Sequence, residues 1–235
     1  MRATGLSTAA GAVVLLGLAT SGAWAQAAGG SATAAPPPNP PAGWSYLPEL
    51  AQYGGGDIFH IVSGAPGAGP APQMQVVTTR NVGILTRDAR APLTAATTLK
   101  WRWNVRTLPS KLPETAAENH DYLSIAVKFD NGQDLTYMWS ASLPVEAGFR
   151  CPLPDWAKRE THVVIRSGQE SLGQWLGEER AVLADYQKHI GGPPPGRITE
   201  VWLIANSIIQ QGEGEASFAD ISLGEGAEGR RLRVF

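Results

Sequence analysis

The stretch that decides the fold is residues 122–140, which read YLSIAVKF, then DNGQD, then LTYMWS. Apolar side chains occupy every second position on both sides of the turn signal Asp130-Asn131-Gly132. They are Leu123, Ile125, Val127, Phe129, Leu135, Tyr137 and Trp139. A period of two places such side chains on one face of a strand. The pattern therefore predicts a β-hairpin with one buried face and one more polar face.

The same alternation continues outward from this hairpin. In KWRWNV, which starts at Lys100, the residues Trp101, Trp103 and Val105 share a face. Further strands are predicted over residues 58–62, 73–78, 82–86, 162–166, 200–205 and 216–223. Only residues 177–190 carry apolar side chains at helical spacing, with Gly191 as a stop. These elements predict an all-β fold, an antiparallel jelly-roll-like β-sandwich with one short helical insertion.

The N-terminus has the pattern of a secretory signal peptide. Arg2 precedes an apolar run over residues 11–20 and the small-residue site Ala23-Trp24-Ala25. Cleavage after Ala25 predicts a periplasmic or secreted protein. The alternative is a membrane anchor, for which the apolar run is short. Residues 26–43, rich in Pro, Ala and Gly, predict a disordered linker before one β-sandwich domain over residues 44–235.

The charge and the single cysteine exclude several function classes. The chain has a formal net charge of −2 and no basic block, which argues against nucleic acid and anionic lipid as partners. Cys151 has no internal disulfide partner, so we expect it to be buried and structural rather than catalytic. No His-x-His, His-Glu-x-x-His or Cys–His spacing occurs, so the sequence predicts no transition-metal site and no cofactor. Gly54-Gly55-Gly56-Asp57 reads as a loop and leaves a structural Ca²⁺ open.

The leading functional hypothesis is a binding module for a carbohydrate or another small polar ligand on a concave sheet face. Large rings dominate sandwich cores, so we expect Trp101, Trp103, Tyr137 and Trp139 in the core. Trp175 and Trp202 are candidates for a stacking platform. The full set of candidate ligand-binding residues is Arg102, Tyr122, Ser124, Ser140, Arg166, Trp175, Trp202 and Asn206. Most of them should point the same way if the strands pair as predicted, and a merely solvated sheet face is the alternative.

The second hypothesis is a cofactor-independent acid/base enzyme, a lyase, isomerase or hydrolase. Its candidate catalytic residues are His120, Asp121, Arg166 and Glu178, because a carboxylate can orient an imidazole as a general base. Adjacent residues in an extended segment point apart, and Arg166 with Glu178 also suits a structural ion pair. A third hypothesis, an accessory subunit of an envelope complex, predicts a large exposed apolar patch.

The segment over residues 168–192 is predicted to fold over one end or face of the sandwich as a lid. Its helix would start near Glu178, Glu179 and Arg180, where the helix dipole favours carboxylates. Such a lid would bring Trp175 and Glu178 to the ligand.

Several motifs, taken together, resemble a known family. They are Trp101-Arg102-Trp103, Asp121-Tyr122, Tyr137-Met138-Trp139-Ser140, Val164-Ile165-Arg166-Ser167-Gly168, and a W-x-x-E-x-R-x-V-x-x-D-Y pattern from Trp175 to Tyr186. Over residues 82–223 the chain resembles the bacterial secreted family known as domain of unknown function 3047. The resemblance implies a β-sandwich and an export signal but no established activity. Members often have an acidic pair in place of His120-Asp121 and an Asp-x-Asp in place of Ala205-Asn206-Ser207, so chemistry based on those acids is not carried over.

Overall fold

In the computed structural model, residues 39–53, 57–63, 69–70, 72–225 and 229–235 are described. The predicted signal peptide, most of the predicted linker and Gly54 to Gly56 lie outside these residues. No helix within the described ranges is long and apolar enough to cross a membrane.

One layer of the fold is a seven-stranded sheet. Its strands, in order across the sheet, are β1 (Ser45–Tyr46), β4 (Val82–Pro92), β11 (Arg197–Asn206), β6 (Tyr122–Phe129), β7 (Asp134–Ser140), β9 (Glu160–Ser167) and β8 (Gly148–Arg150). All neighbours pair antiparallel except β7 and β9, which are parallel.

The other layer is a six-stranded sheet. Its path runs β10 (Leu176–Ala181), β5 (Thr97–Thr107), β12 (Glu213–Glu225), β3 (Gln73–Thr79) and β2 (Phe59–Val62), with β13 (Arg231–Arg233) paired to β12. The chain also forms an α-helix, α1 (Val182–His189), and 3-10 helices at Pro48–Tyr53 and Ala117–Asn119. The predicted jelly-roll-like sandwich is confirmed.

Aromatic side chains join the two sheets, as the alternation predicted. In the hairpin β6–β7, Leu123 pairs with Trp139 and Ile125 with Tyr137. Trp101 of the opposite sheet stacks on Tyr137 with ring centroids 5.6 Å apart. These rings are at most 1% exposed. The interior positions of both sheets therefore form one core.

The helical insertion begins later than predicted. Residues Leu176–Ala181 are a strand that pairs with β5, from Leu176 opposite Trp103 to Ala181 opposite Thr98, and α1 starts only at Val182. The edge of β5 offers a row of backbone N–H and C=O groups. The hydrogen bonds that residues 176–181 make with them stabilise a strand there, although the apolar side chains have helical spacing. The predicted helix start at Glu178 and Glu179 is therefore wrong. Residues 176–181 extend the six-stranded sheet, and Val182 and Tyr186 of α1 belong to the core cluster, so the segment is part of the sandwich and not a lid over it.

The outer face of the seven-stranded sheet is also buried, contrary to the expectation of an open polar face. Outward positions on its central strands include apolar residues such as Ala126, Met138 and Ile204. Leu153 and Trp156, from the connection between β8 and β9, pack over them in a second apolar cluster. Strand β7 is consequently buried at all seven positions. The polar outward side chains of the six-stranded sheet, such as Lys100 and Arg102, are by contrast partly exposed.

Candidate functional site

The outer face of the six-stranded sheet carries a shallow cavity of about 400 Å³, here called the sheet-face cavity. It forms where outward polar positions of β5 meet the edge strand β10 and an irregularity in β12 between Ala219 and Ser222. Asp220, at this irregularity, has a φ of 53°, in the left-handed region. The lining residues are Lys100, Trp101, Arg102, Gly177, Glu178, Glu179, Asp220 and Ser222.

Charges of both signs line this cavity. Lys100 Nζ lies 3.1 Å from Glu179 Oε2, and Arg102 Nη1 lies 3.7 Å from Asp220 Oδ2. The four side chains are between 32% and 56% exposed, so they remain in contact with solvent. Gly177 leaves space between them because it has no side chain. The atom nearest to a Cβ at that position would be Arg102 Cγ, at 3.9 Å. The cavity therefore offers hydrogen-bond donors and acceptors side by side.

Trp175 lies beside the cavity and is half-buried. The guanidinium of Arg102 lies 5.7 Å from the centroid of its ring, within the range of a cation–π contact. Gly69, with a φ of 104°, lies against the indole, where a side chain would collide with Nε1. The Trp175 ring is thus held between a backbone segment and a charged side chain.

Of the predicted ligand-binding residues, Arg102 lines this cavity, and Trp175 lies beside it in contact with Arg102. The prediction of one shared polar face is wrong, because Arg102 belongs to the six-stranded sheet and most of the others to the seven-stranded sheet. The buried members of the set are Tyr122, Ser124, Ser140, Trp202 and Asn206. Trp202 is 1% exposed and meets Trp156 edge-on, so it presents no open ring to a ligand. Arg166 is partly exposed and engaged by Glu178.

The predicted catalytic pair His120 and Asp121 does not form. His120 Nδ1 lies 2.6 Å from the carbonyl oxygen of Glu114, whereas the Asp121 carboxylate accepts the backbone N–H groups of Ile209 and Gln210. Burial raises the pKa of Asp121, and these two N–H bonds act against that rise. The two side chains point apart, as expected for neighbours in an extended segment.

Arg166 and Glu178 form the structural ion pair that was the alternative to catalysis. Arg166 donates to both Glu178 oxygens, at 2.8 and 3.1 Å, and Trp103 Nε1 donates to the same carboxylate at 3.0 Å. The pair joins β9 of one sheet to β10 of the other. Among the described residues, no hydrogen bond links this pair to His120 or Asp121, so the four candidates belong to two separate groups.

A second ion-pair network fastens β10 and α1 to the loop before β8. Arg180 donates to Glu146 at 2.6 Å and to both oxygens of Asp185 at 2.9 and 2.7 Å, and Lys188 donates to Glu146 at 2.7 Å. The hydrogen bonds from Arg180 and Lys188 lower the pKa of Glu146 from 4.5 to about 2.

This shift predicts a small acid-labile contribution to stability. A lowered pKa stabilises the fold above pH 4.5, and that contribution is lost as the pH falls through about 2. Glu146 is 42% exposed, so screening limits the contribution to about 1 kcal/mol. We expect the free energy of unfolding to fall less steeply between pH 4.5 and 2 in Glu146→Gln than in the wild type. Denaturant titrations across this range measure it, and identical slopes would contradict the assignment.

A different group of side chains meets on the outer face of the seven-stranded sheet, under the β8–β9 connection that covers this face. We call this group the buried His-Cys-Glu cluster. It consists of His120, Cys151, Glu160 and His162, whose potential ligand atoms all lie within 4.8 Å of one another. Glu160 and His162 alternate along β9 and so share its outer face. All four are at most 2% exposed. Burial lowers the pKa of His120 to about 3, which keeps this imidazole neutral.

Hydrogen bonds hold the carboxylate of this cluster. Glu160 Oε1 accepts from the Tyr122 hydroxyl at 3.0 Å and from Thr136 Oγ1 at 3.2 Å. Burial raises the pKa of Glu160, but His162, His120 and Cys151 act together against it and lower the pKa to about 2. Burial raises the pKa of the Cys151 thiol, and Glu160 acts in the same direction. The expected burial of Cys151 is confirmed, and its Sγ lies 3.4 Å from His120 Nε2.

Three members of this cluster are not among the predicted site residues: the sequence predicts a structural Cys151, and it does not mark Glu160 or His162 as candidates. The Glu160-Thr161-His162 spacing was the one available signal, since residues two apart in a strand share a face. His120 and Cys151 come from separate segments, so no local spacing connects them to that strand. The absence of a local metal motif therefore does not exclude a metal site here.

Several solved structures are similar to this chain at low identity. The xyloglucanase domain of NopAA, a type three effector from Sinorhizobium fredii in complex with cellobiose, is 11% identical, with a TM-score of 0.46 over 83% of this chain and 100% of that chain. A mutant of the ENZbleach xylanase is 13% identical, with a TM-score of 0.43 over 84% and 87%. A native family 12 xyloglucanase from Bacillus licheniformis is 7% identical, with a TM-score of 0.36 over 70% and 90%.

No curated protein matches the chain significantly. The sequence profile of the family described as "Protein of unknown function (DUF3047)" matches residues 70–222. This range contains all of β3 to β11 and β12 as far as Ser222, and so most of both sheets. On that match, the chain belongs to the DUF3047 family.

Proposed function

We propose that this protein is a non-catalytic binding module that holds a carbohydrate or another small polar ligand in the sheet-face cavity. The proposed location is the periplasm or the exterior of the cell, in keeping with the N-terminal pattern. The observation that carries the proposal is the juxtaposition of exposed charges of both signs with a fixed indole on an open sheet face.

The chemistry of the cavity suits a ligand rich in hydroxyl or carboxylate groups. Lys100 and Arg102 can donate hydrogen bonds to the oxygen of a sugar hydroxyl, whereas Glu179 and Asp220 can accept a hydrogen bond from its O–H group. The indole of Trp175 offers an apolar ring edge beside them. A volume of about 400 Å³ lies within the range of small-molecule sites.

The alternatives have less support from the described residues. For an acid/base enzyme, His120 and Asp121 are buried and held by backbone partners, and Arg166 and Glu178 bind one another. For an envelope subunit, an extended apolar patch is expected, but the exposed large apolar side chains lie on β2, β3, β13 and two separate loops. They are Ile61, Val77, Leu112, Val145 and Leu232.

The test is a thermal-shift screen against neutral sugars and sugar acids, followed by titration of the best ligand. We expect Arg102→Ala to weaken binding at least about tenfold, equivalent to ~1.4 kcal/mol. Arg106→Ala is the matched control, because Arg106 lies on the same strand and face but outside the cavity, where it pairs with Glu215. Equal losses in the two variants, or no melting-temperature rise with any compound in the screen, would refute the proposal.

Trp175→Ala tests the indole separately. We expect weaker ligand binding together with a stability loss below the roughly 3–5 kcal/mol of a core tryptophan, because Trp175 is only half-buried. Calorimetric titration and urea denaturation of the same variant measure the two effects. A loss of the full core amount, with unchanged affinity, would assign Trp175 to packing alone.

A further inference from the structure

We propose that the buried His-Cys-Glu cluster is a binding site for one divalent transition-metal ion, with zinc the best match. The inference is independent of the sheet-face cavity, because that cavity lies on the six-stranded sheet whereas the cluster is buried on the outer face of the seven-stranded sheet. Its four members are His120, Cys151, Glu160 and His162.

The spacing of the ligand atoms suits a tetrahedral ion. Zinc bonds of about 2.0–2.3 Å place tetrahedral ligand atoms about 3.3–3.8 Å apart. Cys151 Sγ lies 3.4 Å from His120 Nε2, and His162 Nε2 lies 3.5 Å from Glu160 Oε2. No two ligand atoms in the cluster are more than 4.8 Å apart, so side-chain rotations that move these atoms by about 1 Å would bring all four to bonding distance of an ion.

The imidazole of His162 supplies an independent indication. It is fully buried, and in the part of the chain that the structure describes neither ring nitrogen has a hydrogen-bond partner, although Nε2 lies 3.5 Å from Glu160 Oε2. An unsatisfied buried polar group costs about 1–3 kcal/mol, so native proteins rarely keep one without a reason. A metal ion bound between the side chains would give the lone pair of Nε2 its partner.

Hydrogen bonds outside the cluster already orient two of the ligands. His120 Nδ1 donates to the Glu114 carbonyl, which makes Nε2 the acceptor of the hydrogen bond from the Cys151 thiol and directs its lone pair toward that sulfur. Glu160 Oε1 accepts from Tyr122 and Thr136, which leaves Oε2 facing His162. Metal-binding histidines and carboxylates are characteristically fixed in this way by partners on their far side.

The donor set selects the metal and its role. One thiolate and one carboxylate neutralise a dication, and two neutral imidazoles complete a mixed N, S and O site that suits zinc rather than calcium or magnesium. With four protein ligands and no exposure to solvent, the site is of the closed, structural type. The ion would tie the segment before β6 and the β8–β9 connection to strand β9.

The test is metal loading of the purified full-length chain after extraction with a chelator. We expect one zinc per chain by mass spectrometry of the metal, and visible bands of tetrahedral geometry plus a sulfur-to-metal charge-transfer band after loading with cobalt(II). Cys151→Ser should remove the charge-transfer band and weaken metal binding by more than the roughly 10- to 100-fold that loss of an outer partner costs. His60→Asn is the matched control, because His60 is half-exposed and lies away from the cluster on β2.

The wild-type chain decides the question even if Cys151→Ser fails to fold. A titration of the metal-free wild type against a competing chelator measures affinity directly, and zinc should also raise its melting temperature. Absence of stoichiometric zinc, a six-coordinate cobalt spectrum without the sulfur band, or equal metal loss in Cys151→Ser and His60→Asn would overturn the proposal.

Discussion

Replacing Trp103 with alanine is expected to lower the free energy of unfolding by roughly 3–5 kcal/mol. Trp103 is fully buried, meets Trp139 at 5.5 Å and Phe218 at 6.4 Å between ring centroids, and donates to Glu178. Its removal leaves a cavity between the two sheets and takes one donor from a nearly buried carboxylate. The loss is a large share of the ~5–15 kcal/mol that keeps a typical domain folded.

Urea denaturation followed by circular dichroism measures this loss. Trp103→Phe keeps most of the volume but not the indole N–H, so it should cost less than the alanine variant and separates packing from the hydrogen bond. Trp175→Ala is the comparison for an indole outside the core. A Trp103→Ala variant no less stable than Trp175→Ala would contradict the placement of Trp103 at the centre of the core.

Replacing Asp185 with alanine is the second change with a large expected effect, a loss of about 3 kcal/mol. Asp185 is 6% exposed, accepts the Tyr137 hydroxyl at 3.0 Å, and receives two hydrogen bonds from Arg180. The variant leaves the buried hydroxyl without its acceptor and the guanidinium without its buried partner. Burial is the main cause that raises the pKa of Tyr137, and Asp185 adds to it, so the hydroxyl stays protonated and keeps donating.

Glu146→Gln is the matched control, because Glu146 binds the same guanidinium from a more exposed position. Its expected cost is at most about 1 kcal/mol. Thermal and urea denaturation of the two variants in parallel measure the difference. Equal costs would mean that burial does not set the strength of the two ion pairs.

Local alternation was sufficient to predict the sandwich and its core. The residues on one face of the predicted hairpin, from Leu123 to Trp139, are the residues that the core buries. Trp101 and Trp103 on the next predicted strand lie against them from the opposite sheet. A period of two fixes which side chains share a face, because successive side chains of a strand point in opposite directions. The sequence by itself therefore determined the fold class and the aromatic core.

Which face stays open was decided only by the tertiary structure. Periodicity does not say that the connection containing Leu153 and Trp156 folds over the seven-stranded sheet, or that residues 176–181 pair with the edge of β5. Both depend on contacts between segments far apart in the chain. They remove Tyr122, Ser124 and their neighbours from the surface and leave Arg102 and Trp175 at the open face.

The candidate sites show the same division. Arg102 and Trp175 can be named as candidates from the sequence because an Arg on the polar face of a predicted strand and a Trp in a Gly-flanked loop are each visible locally, and their role in binding stays a prediction. The buried His-Cys-Glu cluster was not, since His120, Cys151 and strand β9 reach one point only when β6, β8 and β9 take their places around the seven-stranded sheet. The sequence determined which donor atoms are present. Only the pairing and covering of the strands decided that four of them, from three segments, meet in one buried place.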